Sequence, residues 1–206
     1  MFNVVLVEPE IPANTGNIGR TCVLCGARLH LVGPMGFSLT EHELKRAGLA
    51  YWKSLDVVTY ASWDAFVKKN TAVQACLSTS DGLGEDTAGP TVHLLTKSGE
   101  RVYSDATYHE GDYLVFGKES AGLSRPLLAA HPNLCERIPM RGDDALLNAE
   151  SWHANFDRLH PELKRDVCGN FVDPRTSVVA SLNLSNSVAI VLYEAERQVG
   201  FTGMSL

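Results

Sequence analysis

Short runs of Val, Leu and Ile recur along the chain, each separated from the next by a segment with helical spacing or helix-end residues. This alternation is the tightest constraint on the fold. A run that is apolar on both of its faces must be covered on both, and repeated strand–helix units achieve that by stacking such strands into a parallel sheet. Asn3–Val7, Leu29–Val32, Val57–Tyr60, Val73–Ser78, Tyr113–Phe116 and Arg137–Met140 read as strands. Gly16–Cys25 reads as the first helix, with Asn14 or Thr15 as its N-cap and Gly26 just past its end. Thr40 and Glu43 form a capping box opening a helix that Gly48 stops. Trp63–Lys69 and Asn186–Gln198 read as further helices. Thr91–Leu95 and Arg101–Tyr103, flanking Thr96–Glu100, suggest a β-hairpin grafted between core strands. The expectation is an α/β fold: a mainly parallel sheet with helices on both faces.

The 206 residues fit one domain with a sizeable core. No apolar run approaches bilayer length, and Met1–Pro9 lacks the basic start of a signal peptide, so a cytoplasmic protein without membrane contact is expected. The net charge of −6 argues against a binder held to nucleic acid by bulk charge, though not against a local basic site. Five cysteines include Cys22 and Cys25, a CxxC inside an apolar segment with no second pair of matching spacing. Core packing accounts for them better than metal or disulfide chemistry, and no metal is expected. His42, His93 and His109 show no ligand spacing and read as exposed or structural. Arg141–Ala180 is charged, contains Trp152, Phe156 and Phe171, and breaks the alternation. It reads as an insertion with some helix in it.

Three stretches stand out for their polar and glycine residues. Glu8–Arg20 follows the first strand, at a strand end and helix start where open α/β sheets bind ligands. Asn14, Asn17 and Arg20 are spaced to converge near that helix start, and the planar fork of Arg20 suits a phosphate. Phe116–Pro126 has Gly117 and Gly122 bracketing a loop, with Ser124 and Pro126 opening a helix. It is neither a dinucleotide fingerprint nor a phosphate loop. Ser181–Ser187 opens the last helix with Ser181, Asn183, Ser185 and Asn186, more than one N-cap requires.

In this order the three stretches resemble the signature motifs of the SPOUT superfamily, in particular the small RNA 2′-O-methyltransferases that act on the tRNA wobble nucleotide. Pro34–Phe37, Arg46–Tyr51, Gly111–Tyr113 and Arg137–Met140 also fit that pattern. The resemblance covers the chain as a single domain, 1–206, apart from insertions near 82–101 and 141–180. It implies a deep trefoil knot toward the carboxyl end, a rare exception to unknotted folds. It implies S-adenosyl-L-methionine as cofactor, held by Leu77 at a strand end, Gly117, Ile138, Met140, Ser181 and Leu182. It also implies a homodimer in which Arg20 of one subunit faces the cofactor of the other, and a tRNA substrate. Arg20, Asn14, Glu119 and Asn183 match polar positions of the catalytic site. Lys45, Arg46, Lys53 and Arg125 are candidates for meeting the RNA backbone. The reaction implied is methyl transfer to the ribose 2′-hydroxyl of cytidine or uridine 34. Two other readings stay open: the same transfer at another tRNA position or on ribosomal RNA, and an RNA- or cofactor-binding protein without catalysis.

Overall fold

A computed structural model describes residues 1–37, 50–79, 89–140 and 181–205. They fall into two compact units, Met1–Ile138 with Asn183–Leu206, and Pro139–Leu182. The capping-box helix expected from Thr40, and all of 141–180, lie outside the described residues.

The first unit is built on seven strands: β1 (Asn3–Val7), β2 (Arg28–Val32), β3 (Val57–Tyr60), β4 (Val92–Leu95), β5 (Arg101–Val102), β6 (Tyr113–Phe116) and β7 (Cys135–Arg137). They form one sheet in the order β3-β2-β1-β6-β4-β7-β5, and every pairing is parallel. Five helices accompany them among the described residues: α1 (Pro12–Cys25), α2 (Trp63–Lys69), α3 (Thr71–Ser78), α4 (Arg125–Ala130) and α5 (Leu184–Gln198). Strand alternation divides the apolar side chains between two cores. Val4, Leu6, Leu114 and Phe116 pack with Ile18 and Cys22 of α1 and Val188, Val191 and Leu192 of α5. Val5, Val115, Val92 and Leu94 face the other way, toward Phe66 of α2, Val73 of α3 and Leu127 of α4. The sheet is therefore covered on both faces, as the apolar runs require. Among the described residues, no helix is long and apolar enough to cross a membrane.

Several expectations are corrected by the structure. Val73–Ser78 is helical, not a strand. Val73, Cys76 and Leu77, at i, i+3 and i+4, all reach one apolar cluster, which is helical rather than alternating spacing. The hairpin is absent. β4 is fully buried in the sheet between β6 and β7, and β5 pairs with β7 on the far side. Gly99 lets the connecting loop lie against β7, since a Cβ there would stand 2.7 Å from the Glu136 carbonyl carbon. β7 begins and ends earlier than expected because Pro139 offers no ladder donor. α1 starts at Pro12, four residues early. Proline suits a first turn, and Asn14 and Thr15 lie inside the helix instead of capping it. Gly26 does close it in the left-handed conformation, at φ 65°. Cys22 and Cys25 are core residues, and burial pushes both thiols up, Cys25 to about 11.

His30 of β2 is buried, with Nε2 donating to Asn3 Oδ1 (3.1 Å) and Nδ1 accepting from Tyr60 Oη (3.0 Å). One donor and one acceptor fit a neutral ring, and burial lowers its pKa from 6.5 to about 4. The folded value lies below the unfolded one, so this contribution is complete above pH 6.5 and is lost as pH falls toward 4. Urea unfolding is expected to show His30 removing about 2 kcal/mol of stability between pH 7.5 and 5. A His30→Phe protein should lose correspondingly less over that interval. Equal losses in both proteins would contradict a buried neutral ring.

Candidate active site at the carboxyl ends of the strands

Strand order reverses between β1 and β6: α1, which follows β1, covers one face, and α4, which follows β6, covers the other. Such a switch point opens a crevice beyond the strand ends, the usual ligand position in open α/β sheets. Here the loops after β1 and β6 are laced together across it. Lys118 Nζ meets Glu8 Oε2 at 2.9 Å. Ser120 donates to Glu10 from both its backbone N–H (2.9 Å) and its Oγ (2.8 Å). The half-buried Glu119 carboxylate accepts from Glu10 N (2.8 Å), Ile11 N (3.3 Å) and Asn14 Nδ2 (2.9 Å). α1 has no side-chain cap of its own at Ile11, so Glu119 satisfies N–H groups at its start from across the crevice.

The third motif joins the same knot of bonds. Asn183 Oδ1 caps α5 by accepting from Ser185 N (2.8 Å) and Ser185 Oγ (2.7 Å). Its Nδ2 donates to Asn14 Oδ1 (2.9 Å). Asn14, itself buried, thus bridges Glu119 and Asn183, and one side chain from each motif meets at one place.

Arg20 sits further along α1 and is exposed. Its guanidinium lies over the Tyr51 ring, 5.1 Å from the centroid, and Tyr51 Oη donates to Gly16 O (2.6 Å). The Ala50–Ser54 turn can lie this close because Gly19 carries no Cβ, which would stand 2.8 Å from Trp52 Cζ3. Stacking of this kind fixes a guanidinium plane while leaving its donors outward. Asn17, expected to converge with Asn14 and Arg20, is exposed, whereas Asn14 turns inward. Tyr51 and the Glu10–Ser120 pair were not among the expected site residues. The only sequence signal for Tyr51 was its place at the end of the Arg46–Tyr51 stretch.

Beyond the crevice, the ends of β4, β6 and β7 lie side by side, with Leu95 opposite both Phe116 and Glu136. This register brings Leu95, Gly117 and Ile138 to one edge. Leu77 is in α3, among Trp63, Val67 and Leu127, and not at a strand end. The strand-end leucine is Leu95, which the hairpin reading had hidden. Gly117 is buried where the loop folds back. A Cβ there would stand 2.0 Å from the Gly122 carbonyl carbon, and Gly122 N donates to Lys118 O (2.8 Å). Gly117→Ala is expected to destabilise the protein by about 3 kcal/mol, seen as a lowered thermal midpoint. An unchanged midpoint would contradict this packing. Met140, Ser181 and Leu182 belong to the second unit. Lys53 and Arg125 are exposed, on the 50–54 turn and at the start of α4. Lys45 and Arg46 lie outside the described residues. Among the described residues, no group of His, Cys, Asp or Glu is placed to hold a metal ion.

Comparison with known proteins accords with this architecture. Residues 1–151 match the model of the SpoU rRNA Methylase family. The chain is similar to a tRNA (cytidine(34)-2′-O)-methyltransferase of Saccharophagus degradans, 37% identical over 98% of this chain and 99% of the relative. A protein of the same description from Burkholderia cenocepacia is 36% identical over 98% and 99%. A solved structure described for 2-OH methylation of C/U34 on tRNA superposes with a TM-score of 0.66 at 33% identity, covering 97% of this chain and 96% of that one. With a parallel α/β sheet whose three motif loops are bonded together, and with relatives matched along nearly its whole length, this chain belongs to the SpoU methylase family.

Proposed function

We propose that the chain transfers a methyl group from S-adenosyl-L-methionine to the ribose 2′-hydroxyl of the tRNA wobble nucleotide, cytidine or uridine 34. The observation that carries this reading is the joining of Asn14, Glu119 and Asn183, one from each motif, in a chain similar from end to end to relatives of that description.

The donor set suits the cofactor. Leu95 and Ile138 offer apolar side chains at neighbouring strand ends, a setting that favours an adenine ring. The resemblance to the family assigns Met140, Ser181 and Leu182 to the cofactor as well. The cofactor, when bound, supplies an activated methyl group, and the protein supplies orientation. Arg20 clamps the phosphate beside the target ribose and polarises the 2′-hydroxyl. A guanidinium stays protonated and is a poor proton acceptor, so the proton passes to phosphate or water. Glu119 is occupied by three N–H donors, which supports a role in holding Asn14 and the start of α1 in place, not in taking the proton.

A homodimer that brings Arg20 to the partner's cofactor, a knotted carboxyl-terminal segment, a single functional domain spanning 1–206 and a cytoplasmic setting belong to the same reading. Lys53 and Arg125, with Lys45 and Arg46, are the proposed contacts to the tRNA backbone. The family's description favours a second substrate, ribosomal RNA. Methylation assays on a tRNA carrying a single 2′-deoxynucleotide at position 34 separate the two. The wobble reading predicts that transfer disappears with that one oxygen, and undiminished transfer would move the target elsewhere.

A further inference from the structure

One buried charged cluster has no part in the chemistry above. His93 of β4, Asp112 before β6 and Glu136 of β7 are almost wholly excluded from solvent. His93 Nδ1 lies 2.7 Å from Glu136 Oε1 and its Nε2 3.2 Å from Asp112 Oδ2. Asp112 also accepts from Thr91 N and His109 N, both at 2.7 Å. Glu136 also accepts from Arg101 Nη2 and Tyr108 Oη, both at 2.7 Å. Two carboxylates so saturated are ionised acceptors, so both ring nitrogens of His93 donate and the ring is an imidazolium. Burial pushes the His93 pKa down, but the Asp112 and Glu136 bonds outweigh it and the net shift is upward. Two carboxylates, one guanidinium and one imidazolium leave the cluster neutral. The other titratable groups facing it are Tyr108, His109 beside Asp112, Cys76 of α3 toward Asp112, Cys135 beside Glu136, and Glu194 of α5 toward Tyr108.

Glu136 also holds the loop between β4 and β5 along its length. Its carbonyl accepts from Thr96 N (2.8 Å) where the loop begins, its backbone lies against Gly99 in the middle, and its carboxylate grips Arg101 where the loop ends. Ile138 follows two residues later, at the same edge as Leu95 and Gly117. A core ion cluster does not by itself need a surface loop tied at three points to one residue. We propose that Glu136 is a positioning residue for cofactor binding, which with His93 as its buried counter-charge sets the 96–100 loop and the exit of β7 around the methyl-donor site. This rests on the cofactor reading above.

The test is calorimetric titration of S-adenosylhomocysteine into wild type, Glu136→Gln and Tyr108→Phe, with amide exchange across 96–101 and tRNA affinity measured on the same proteins. Wild type binds. Glu136→Gln binds about tenfold more weakly, with faster exchange across the loop and unchanged tRNA affinity, which general loosening would not produce. Tyr108→Phe, which removes one bond to the carboxylate, gives a smaller change in the same direction and decides the matter if Glu136→Gln does not fold. Wild-type affinity and loop exchange in the variants would overturn the positioning role alone. A wild-type protein that fails to bind would overturn the cofactor reading, and this proposal with it.

Discussion

Arg20→Ala is expected to lower methyl transfer about a hundredfold or more, while thermal stability and affinity for S-adenosylhomocysteine stay at wild-type values. Arg20 is exposed and its ring contact with Tyr51 is worth only about 0.5–1 kcal/mol, so little of the fold depends on it. What it supplies is a guanidinium plane held in one orientation at the end of a rigid helix turn. Groups fixed before the reaction, and aimed where charge develops, gain most of their value in the transition state. Arg20→Lys keeps the charge but loses the fork and the stacking, and should recover only a small part of the activity. Steady-state rates beside calorimetric cofactor affinity check both. Full activity in Arg20→Ala would remove the residue from the mechanism.

Glu119→Ala is expected to reduce stability by about 2–3 kcal/mol and methyl transfer more than about tenfold, because both depend on the same bonds. Removing the carboxylate leaves Ile11 N and Asn14 Nδ2, both partly buried, without their acceptor, and a buried donor left unpaired costs about 1–3 kcal/mol, whereas the exposed Glu10 N turns to water. Asn14 then loses half of the bridge that ties the first motif to the third. Glu119→Gln separates this role from that of a base. The amide keeps one acceptor oxygen, so a positioning role predicts partial retention of both stability and rate. A general base would instead lose nearly all its rate with stability unchanged. Urea unfolding and initial rates on the two variants decide between these patterns.

The sheet was legible where burial leaves one solution. Asn3–Val7, Val57–Tyr60 and Tyr113–Phe116 are short apolar runs bounded by turn residues, and all three are parallel strands with the expected limits, the first and last in the core and Val57–Tyr60 at the sheet edge. Reading failed where length and spacing point different ways. The short run Val73–Ser78 has the length of a buried strand, but its cluster-facing residues Val73, Cys76 and Leu77 have helical spacing, and tertiary packing uses it as a helix. Thr91–Leu95 and Arg101–Tyr103 looked like neighbours because they are close in sequence. Their partners, β6 and β7, come later in the chain, and no local pattern reveals a long-range pairing. That misreading also misplaced the strand-end leucine, putting it at Leu77 instead of Leu95.

At the site, the residue types were readable and the partnerships were not. Asn14, Glu119 and Asn183 were singled out because they match polar positions of the three motifs, and they do meet. That Glu119 faces backbone N–H groups at the start of α1 follows only from the adjacency of β1 and β6. The same adjacency pairs Glu10 with Ser120 and Glu8 with Lys118, none of which has a signature within its own segment. Arg20 was identified as the guanidinium fork of the first motif, whereas its support by Tyr51 depends on a bond to the Gly16 carbonyl and on the close approach that Gly19 permits.

The most direct test of the central claim is mass-spectrometric mapping of 2′-O-methyl nucleosides in tRNA and ribosomal RNA from cells with and without this gene. Loss of 2′-O-methylation at nucleotide 34 of particular tRNAs, with other positions intact, is the predicted result. An unaltered nucleotide 34, whether or not a methyl group is missing elsewhere, would contradict it.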